Sequence, residues 1–238
     1  MIGKTFRSVR ERGDLPTLAL VRKNVMYQLR NWADRRFDRR YGLDTGGQTN
    51  LDKLTVEGEN RDHGVYYEAT PCSTFQRMMR AVQGPLHDFT FVDYGCGKGR
   101  VLLLATAYGF KKVIGVEFSP ELCAVARKNA ETFSKATGRA HPVEVACMDA
   151  VKFDIPAGPC VLYFYNPFDR ELMGRIAEKI RASYESAPRH LKVVYYNTQS
   201  ADAFERLGFL VPRARGTSRL DFAAAIKRPY TIYETRER

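Results

Sequence analysis

The chain has 238 residues, the size of one α/β domain with an extension, and its 44% hydrophobic and 27% charged residues are ordinary for a soluble globular protein. The net charge of +11 suits an anionic partner but names none. The longest apolar run, around residues 101–110, is too short to cross a bilayer, and the basic amino terminus has no apolar stretch after it. We therefore expect no membrane span, no secretory signal and a cytoplasmic location.

The first 60 residues form a basic segment that we expect to extend a domain at 61–238. Its first forty residues hold eleven basic and four acidic side chains. Apolar residues spaced three to five apart over Leu18–Arg40 predict an amphipathic helix whose other face carries arginines. Such a segment suits nucleic acid, an anionic membrane or an acidic protein, and a solvated arginine-rich helix has the same pattern.

Beyond residue 60, an extended stretch comes first, because the residue before Pro71 is pushed out of the helical region. Ser73 is a candidate cap for a helix that ends near Gly84-Pro85. Strand and helix signals then alternate, with strands at 89–94, 113–118, 143–148, 160–165 and 191–196 and helices at 100–108, 119–133, 170–184 and 201–207. This alternation predicts an α/β fold with a mostly parallel sheet covered on both faces. Two more extended runs, split by Arg215-Gly216-Thr217-Ser218, fill the tail at 209–234.

The five cysteines and four histidines form no metal-binding pattern. No two cysteines stand in a CxxC pair, and no histidine clusters with them. These spacings do not match a zinc site. We therefore expect reduced, mostly buried thiols and no metal.

A glycine-rich loop, Asp93-Tyr94-Gly95-Cys96-Gly97-Lys98-Gly99, follows the first core strand and opens a helix. Glycines there let the backbone pass close to a ligand, and a helix amino terminus favours a carboxylate. A Walker loop requires Ser or Thr after the lysine, but Gly99 follows Lys98; a nicotinamide fingerprint requires a glycine where Arg100 stands. A tight turn without a ligand has the same pattern.

Two acidic residues at strand ends favour a ligand over a bare turn. Glu117 ends the second core strand, where a carboxylate can accept both ribose hydroxyls of an adenosine without pyrophosphate. Asp149 ends the third, where a carboxylate can accept the exocyclic amine of adenine. Because the carboxyl ends of parallel strands share one edge of the sheet, we expect the loop and both acids to bind one ligand.

These motifs resemble those of class I S-adenosylmethionine-dependent methyltransferases: Phe91–Gly99 is similar to their first motif, Val113–Glu117 to the second and Met148–Ala150 to the third. The resemblance implies a doubly wound, Rossmann-like sheet of seven strands with an antiparallel last strand, and S-adenosylmethionine as cofactor with S-adenosylhomocysteine as product. It also implies site roles. Gly95, Gly97 and Gly99 would border the methionine part, Asp93 would order the loop or bind the amino group, Glu117 would bind ribose, Asp149 would face adenine, and Phe118 and Met148 would sandwich the ring.

The acceptor segment is expected at Asn166-Pro167-Phe168, after the fourth core strand. It resembles the Asn/Asp-Pro-Pro-aromatic segment of amino-methyltransferases, in which the amide oxygen accepts from the target amine and the ring stacks beside it. The second proline is missing, which weakens the version specific for nucleic-acid bases. An Asn-Pro turn leading into a helix has the same sequence.

Ahead of the core, Val65–Phe75 resembles the segment that covers the methionine end in non-SET lysine methyltransferases, including the nucleosomal histone type and its prokaryotic relatives. That likeness implies pocket roles for Tyr66, Tyr67 and Thr70. The sequence thus predicts an enzyme that methylates an amine such as a protein lysine. An RNA, DNA or small-molecule methyltransferase, and a cofactor-binding scaffold without catalysis, remain alternatives.

Overall fold

The computed structural model describes residue 25 and residues 32–49, 67–218 and 228–236. Residues 32–41 are helical and form helix α1, which agrees with the second half of the helix predicted over Leu18–Arg40. Residues 1–24, 26–31 and 50–60 of the basic segment lie outside the described residues. Tyr66 and the side chain of Tyr67 also lie outside them, so their predicted pocket roles stay predictions.

In the part of the chain that the structure describes, nine strands and five further helices follow α1. The strands are β1 (Gln48–Thr49), β2 (Tyr67–Glu68), β3 (Thr90–Tyr94), β4 (Lys112–Glu117), β5 (Val143–Cys147), β6 (Cys160–Tyr165), β7 (Leu191–Tyr196), β8 (Leu210–Thr217) and β9 (Pro229–Thr235). The helices are α2 (Cys72–Ala81), α3 (Arg100–Ala105, continued by a 3-10 turn at Thr106–Tyr108), α4 (Pro120–Thr137), α5 (Arg170–Ser186) and α6 (Asp202–Glu205).

Seven strands form one sheet in the order β5-β4-β3-β6-β7-β9-β8. The first five strands are parallel to one another, and β9 is antiparallel to both β7 and β8. The predicted fold class, a doubly wound and mostly parallel seven-stranded sheet with an antiparallel last strand, is confirmed. The chain moves outward in one direction from β3 through β4 to β5 and returns to β6 on the other side, so a crevice opens between the carboxyl ends of β3 and β6.

Helices α4 and α5 begin where the sequence predicts a helix, because each has a side-chain cap. Ser119 accepts a hydrogen bond from the amide of Leu122, and Pro120 takes the first helical position, where its missing N–H costs nothing. Asp169 accepts from the amide of Leu172 in the same way. Both caps stand at the carboxyl edge of the sheet and start the helices that flank the crevice.

The two faces of the sheet bury separate cores. Neighbouring residues of β6 face opposite sides: Tyr163 joins the core beneath α2 and α3, and Phe164 joins the core beneath α5. Under α2, the Phe75 ring meets Tyr163 edge-on at 5.7 Å. These cores fix α2 and α3 above the same end of the sheet at which the crevice opens.

Helix α1 is fastened to α3 by a buried network of polar side chains. The guanidinium of Arg100, 4% exposed, lies 3.1 Å from the carboxylate of Asp34 and 3.6 Å from that of Asp38. Its Nε donates to the hydroxyl of Thr45 at 2.8 Å. Asp34 also accepts from the backbone amide of Cys72, so the network reaches the start of α2. The acidic residues of α1 therefore face the domain.

The structure differs from two local predictions. Helix α2 begins at Cys72, directly after Pro71, so Ser73 lies in its first turn and does not cap it. Residues 215–217 lie inside β8, and the predicted turn there is wrong. The glycine at 216 serves close approach, because a Cβ there would stand 2.6 Å from the ring of Tyr230 on the paired strand.

Within the described ranges, no helix is long and apolar enough to cross a membrane. Nor do three or more His, Cys, Asp or Glu side chains of those ranges come together as a metal site would require. All five cysteines are free thiols, and Cys96, Cys123 and Cys160 are buried.

Candidate active site

The glycine loop leaves β3 through three residues in the left-handed region of φ. The φ angles are 76° at Gly95, 53° at Gly97 and 85° at Gly99, values that side chains rarely allow. A Cβ at Gly95 would also stand only 2.6 Å from the Cβ of Pro167. The loop after β3 and the predicted acceptor segment after β6 are therefore in direct contact.

Glu117, at the end of β4, holds the glycine loop in place. One oxygen of its buried carboxylate accepts from the amide of Gly97 at 2.9 Å, and the other accepts from the amides of Phe118 at 3.0 Å and Ser119 at 3.1 Å. Burial raises the pKa of Glu117, and these three hydrogen bonds act in the opposite direction. The predicted ribose-binding acid thus also fixes the loop that would border the methionine part.

Asp93 is a buried carboxylate, 3% exposed, that lines the crevice. Burial, and to a lesser extent the neighbouring charge of Glu117, raises the pKa of Asp93 well above its usual range. Among the described residues, no side chain or backbone group donates a hydrogen bond to it. A cationic or donor ligand in the crevice would stabilise the ionised form of this carboxyl, and an ammonium group is one such ligand.

The crevice is a cleft with about 270 Å³ of empty volume, part of it open to solvent. Its walls come from the segment before α2, the glycine loop, α3 and β6: Glu68, Ala69, Thr70, Asp93, Gly95, Cys96, Arg100, Val101, Tyr163 and Tyr165. The hydroxyls of Thr70 and Tyr163 lie 2.8 Å apart, in hydrogen-bond contact across the cleft wall. Thr70, predicted from the resemblance, is thus at the cleft.

The residues predicted to surround adenine stand at the ends of β4 and β5. Phe118 is half-buried, and Met148 is half-buried against the core beneath α5. One carboxylate oxygen of Asp149 accepts from the amide of Val151 at 2.9 Å, so Asp149 also caps the turn after β5. The sheet brings these residues to the same edge as Glu117, as predicted from their strand ends.

Asn166 directly follows β6 and has a strained backbone, with φ at 40°. Its amide oxygen accepts from the hydroxyl of Tyr195 at 2.7 Å, and that hydroxyl accepts from the amide of Ser200 at 3.0 Å. Phe168 is 5% exposed and packs in the core beneath α5, away from the cleft lining. The predicted stacking of Phe168 beside an amine stays a prediction.

Three residues at the cleft were missed by sequence reasoning. Arg228 lies 2.9 Å from the carboxylate of Glu68, and the hydroxyl of Tyr165 donates to that carboxylate at 3.1 Å. Arg228 also contacts the hydroxyl of Tyr165, and its guanidinium lies 5.6 Å from the centre of that ring. No sequence motif signals this cluster, because its members come from opposite ends of the domain.

The sheet order, the glycine loop and the strand-end acids define a class I S-adenosylmethionine-dependent methyltransferase domain. Residues 91–192 match the model of a family described as a methyltransferase domain, which covers β3 to the start of β7. This similarity covers less than half of the chain.

Individual proteins are similar to this chain over different lengths. The ribosomal protein L11 methyltransferase of Colwellia psychrerythraea is 46% identical over 46 residues, which are 19% of this chain and 16% of that protein's length. The crystal structure of a protein of Pyrococcus horikoshii, assigned as an RNA methyltransferase, has a TM-score of 0.53 and 16% identity over 79% of this chain and 95% of that one. An RNA methyltransferase of Salinibacter ruber, solved with S-adenosylhomocysteine, has a TM-score of 0.47 and 22% identity over 71% and 95%.

Proposed function

We propose that this protein transfers a methyl group from S-adenosylmethionine to an amine such as a protein lysine. The observation that carries the proposal is the joined site at the carboxyl ends of β3, β4 and β6. There Glu117 binds the glycine loop, Asp93 lacks a partner among the described residues, and the cleft runs on to Tyr165. The relative from Colwellia, by its name, acts on a protein, which supports a protein acceptor.

In this proposal, the glycines 95, 97 and 99 border the methionine part, and Asp93 binds its ammonium group. Glu117 accepts from ribose; since a carboxylate accepts about four hydrogen bonds and three are already made, one hydroxyl is the contact we expect. Asp149 accepts from the adenine amine, between Phe118 and Met148. Tyr67 and Thr70 cover the methionine end.

Bound there, S-adenosylmethionine supplies a methyl group on sulfonium: an amine lone pair forms the new N–C bond, the C–S electrons pass to sulfur, and S-adenosylhomocysteine and a proton leave. The protein's part is placement and exclusion of water. Asn166 orients the amine, because a carbonyl oxygen has two lone pairs and Tyr195 uses one. Pro167 keeps the turn rigid, and Tyr66 is the proposed aromatic neighbour of the amine. Phe168, which packs in the core beneath α5, supports the turn from behind.

Calorimetry with S-adenosylmethionine and no added metal tests the cofactor site. We expect wild type to bind and Glu117→Ala to weaken binding by about 1–3 kcal/mol, because hydrogen bonds to a charged acceptor are lost. Glu144→Ala, on an exposed residue of β5, is the matched control and should bind as wild type does. Absence of binding by wild type would refute the proposed function.

Incubation with radiolabelled cofactor and a fractionated lysate tests the acceptor. Label in protein, located on lysine by mass spectrometry, is the expected result. Label confined to RNA, DNA or small molecules would mean that the acceptor belongs to that class and is not a protein. No label in any fraction would favour a scaffold that binds cofactor without catalysis.

A second candidate, methylation of RNA or DNA, is favoured by the outer face of α1. Arg35, Arg36, Arg39 and Arg40 are exposed there, beside Trp32, whose side chain is 53% exposed. A row of arginines with an aromatic ring suits a phosphate backbone. This candidate predicts nucleic-acid binding that falls steeply with salt and is lost when the four arginines become alanine; salt-insensitive binding would argue against it.

A further inference from the structure

Glu68 and Arg228 form a shielded ion pair at the mouth of the cleft. Their side chains are each 15% exposed, and Arg228 Nη1 lies 2.9 Å from Glu68 Oε2. Glu68 lines the cleft, whereas Arg228 is outside its lining. The pair therefore presents its anionic member to a ligand and keeps its cationic member behind.

The cleft as a whole is lined for cations. Of the described residues that line it, Glu68 and Asp93 are acidic and only Arg100 is basic. Arg100 directs its nitrogens away, to Asp34, Asp38 and Thr45. The charge of Arg100 is thus compensated by residues outside the cleft lining. Glu68 and Asp93 are therefore the charged groups that a ligand in the cleft would meet.

Tyr165 supplies a second feature that suits a cation. Its ring packs against Tyr196 at 4.5 Å between centres, and the guanidinium of Arg228 lies 5.6 Å from the Tyr165 ring centre. A cation at this distance from an aromatic face is attracted to it. Arg228 thus already sits as a cation beside both a carboxylate and a ring.

We propose that Glu68 and Tyr165 form the subsite that selects a cationic acceptor amine, and that Arg228 is the internal counter-ion which the amine displaces. This inference rests on the proposed function and deepens it. The two carboxylates then have different ligands. Asp93 binds the ammonium group of the cofactor, and Glu68 binds the ammonium group of the acceptor before the amine loses its proton. Neutral nucleobases gain nothing from such a subsite, because they offer no charge to replace Arg228.

Substituting the two members of the charged pair one at a time should change the affinity for an acceptor probe in opposite directions. The probe is Nα-acetyl-L-lysine methylamide, titrated by NMR into protein saturated with S-adenosylhomocysteine, with the norleucine analogue as an uncharged control. We expect Glu68→Gln to weaken lysine-probe binding about tenfold or more, because a charge-assisted contact is lost. Arg228→Gln should strengthen it several-fold, because the competing cation is gone. Neither variant should alter binding of the norleucine analogue or of S-adenosylhomocysteine.

A structural ion pair behaves differently, since removing either partner leaves the other buried and lowers binding in both variants. Parallel losses, unchanged affinities, equal binding of the norleucine analogue, or no lysine-probe binding by wild type would each overturn the inference. Glu68→Asp, which keeps the charge, should retain most of the binding and guards against a misfolded glutamine variant. Failure of wild type to bind S-adenosylhomocysteine would refute the proposed function itself and is seen before the probe is added.

Discussion

The cofactor half and the acceptor half of the cleft are built in different ways. In the cofactor half, Glu117 accepts a hydrogen bond from the backbone amide of Gly97, 20 positions earlier, within one strand-helix-strand unit. In the acceptor half, the side chains of Glu68 and Tyr165 meet across 97 positions. A site built from local backbone geometry leaves a motif in the sequence, and one built from distant side chains does not.

The largest effect is expected where the cofactor half depends on α1. Arg100→Met should lower the free energy of unfolding by about 3–5 kcal/mol, because Asp34 and Asp38 lose their buried partner. Chemical denaturation measures this. Arg170→Met, which breaks an exposed pair with Asp202, is the control and should cost about 1 kcal/mol or less. Equal losses in both variants would mean that the buried network does not fasten α1.

The pH dependence of cofactor binding tests the role of Asp93, which belongs to the cofactor half alone. Because its pKa is raised in the free protein, the carboxyl is protonated below that pKa and cannot pair with an ammonium group. Cofactor affinity should therefore fall as the pH drops through the raised pKa, and binding below that pKa should release a proton, seen as a buffer-dependent calorimetric enthalpy. Asp93→Asn should weaken binding about tenfold at pH values above the raised pKa of Asp93 and abolish the proton release.

Asp88→Asn is the control for this titration, since the Asp88 side chain is 76% exposed and lies before β3. It should leave both the affinity and the proton release unchanged. A pH-independent wild type would contradict the role of Asp93 in binding the ammonium group.

The smallest effect is expected in the acceptor half, at the residue that positions Asn166. Tyr195→Phe removes the hydrogen bond to the Asn166 amide oxygen, so kcat should fall about threefold to tenfold, as for the loss of one neutral hydrogen bond. Cofactor affinity should stay the same. Tyr184→Phe, whose ring stacks on Phe209 4.0 Å away, should change neither quantity. A Tyr195→Phe variant that loses cofactor affinity instead would erase the division between the halves.

The sequence was most informative where the chain is buried and local. The limits of β6 and β7 agree with the prediction to the residue, because β6 is a continuous apolar run and β7 is an apolar run interrupted only by Lys192. The turn predicted at Gly216 was wrong, because a turn and the close approach of the chain to Tyr230 both favour glycine. Arg228 could not be assigned at all, because only the sheet order places β9, which Arg228 precedes, next to β7 and one strand away from β6.

The tie between α1 and the glycine loop has a consequence for how the protein is made. The side chain of Asn129 joins the backbone of Asp44, 85 positions earlier, to that of Lys98. On the ribosome, α1 emerges long before α3 and α4, so its acidic residues stay hydrated until those partners exist. Contacts that close such long loops form slowly. Helix α1 is therefore expected to be among the last elements to dock, and the loop after β3 gains its final support from a segment that is synthesised well before it.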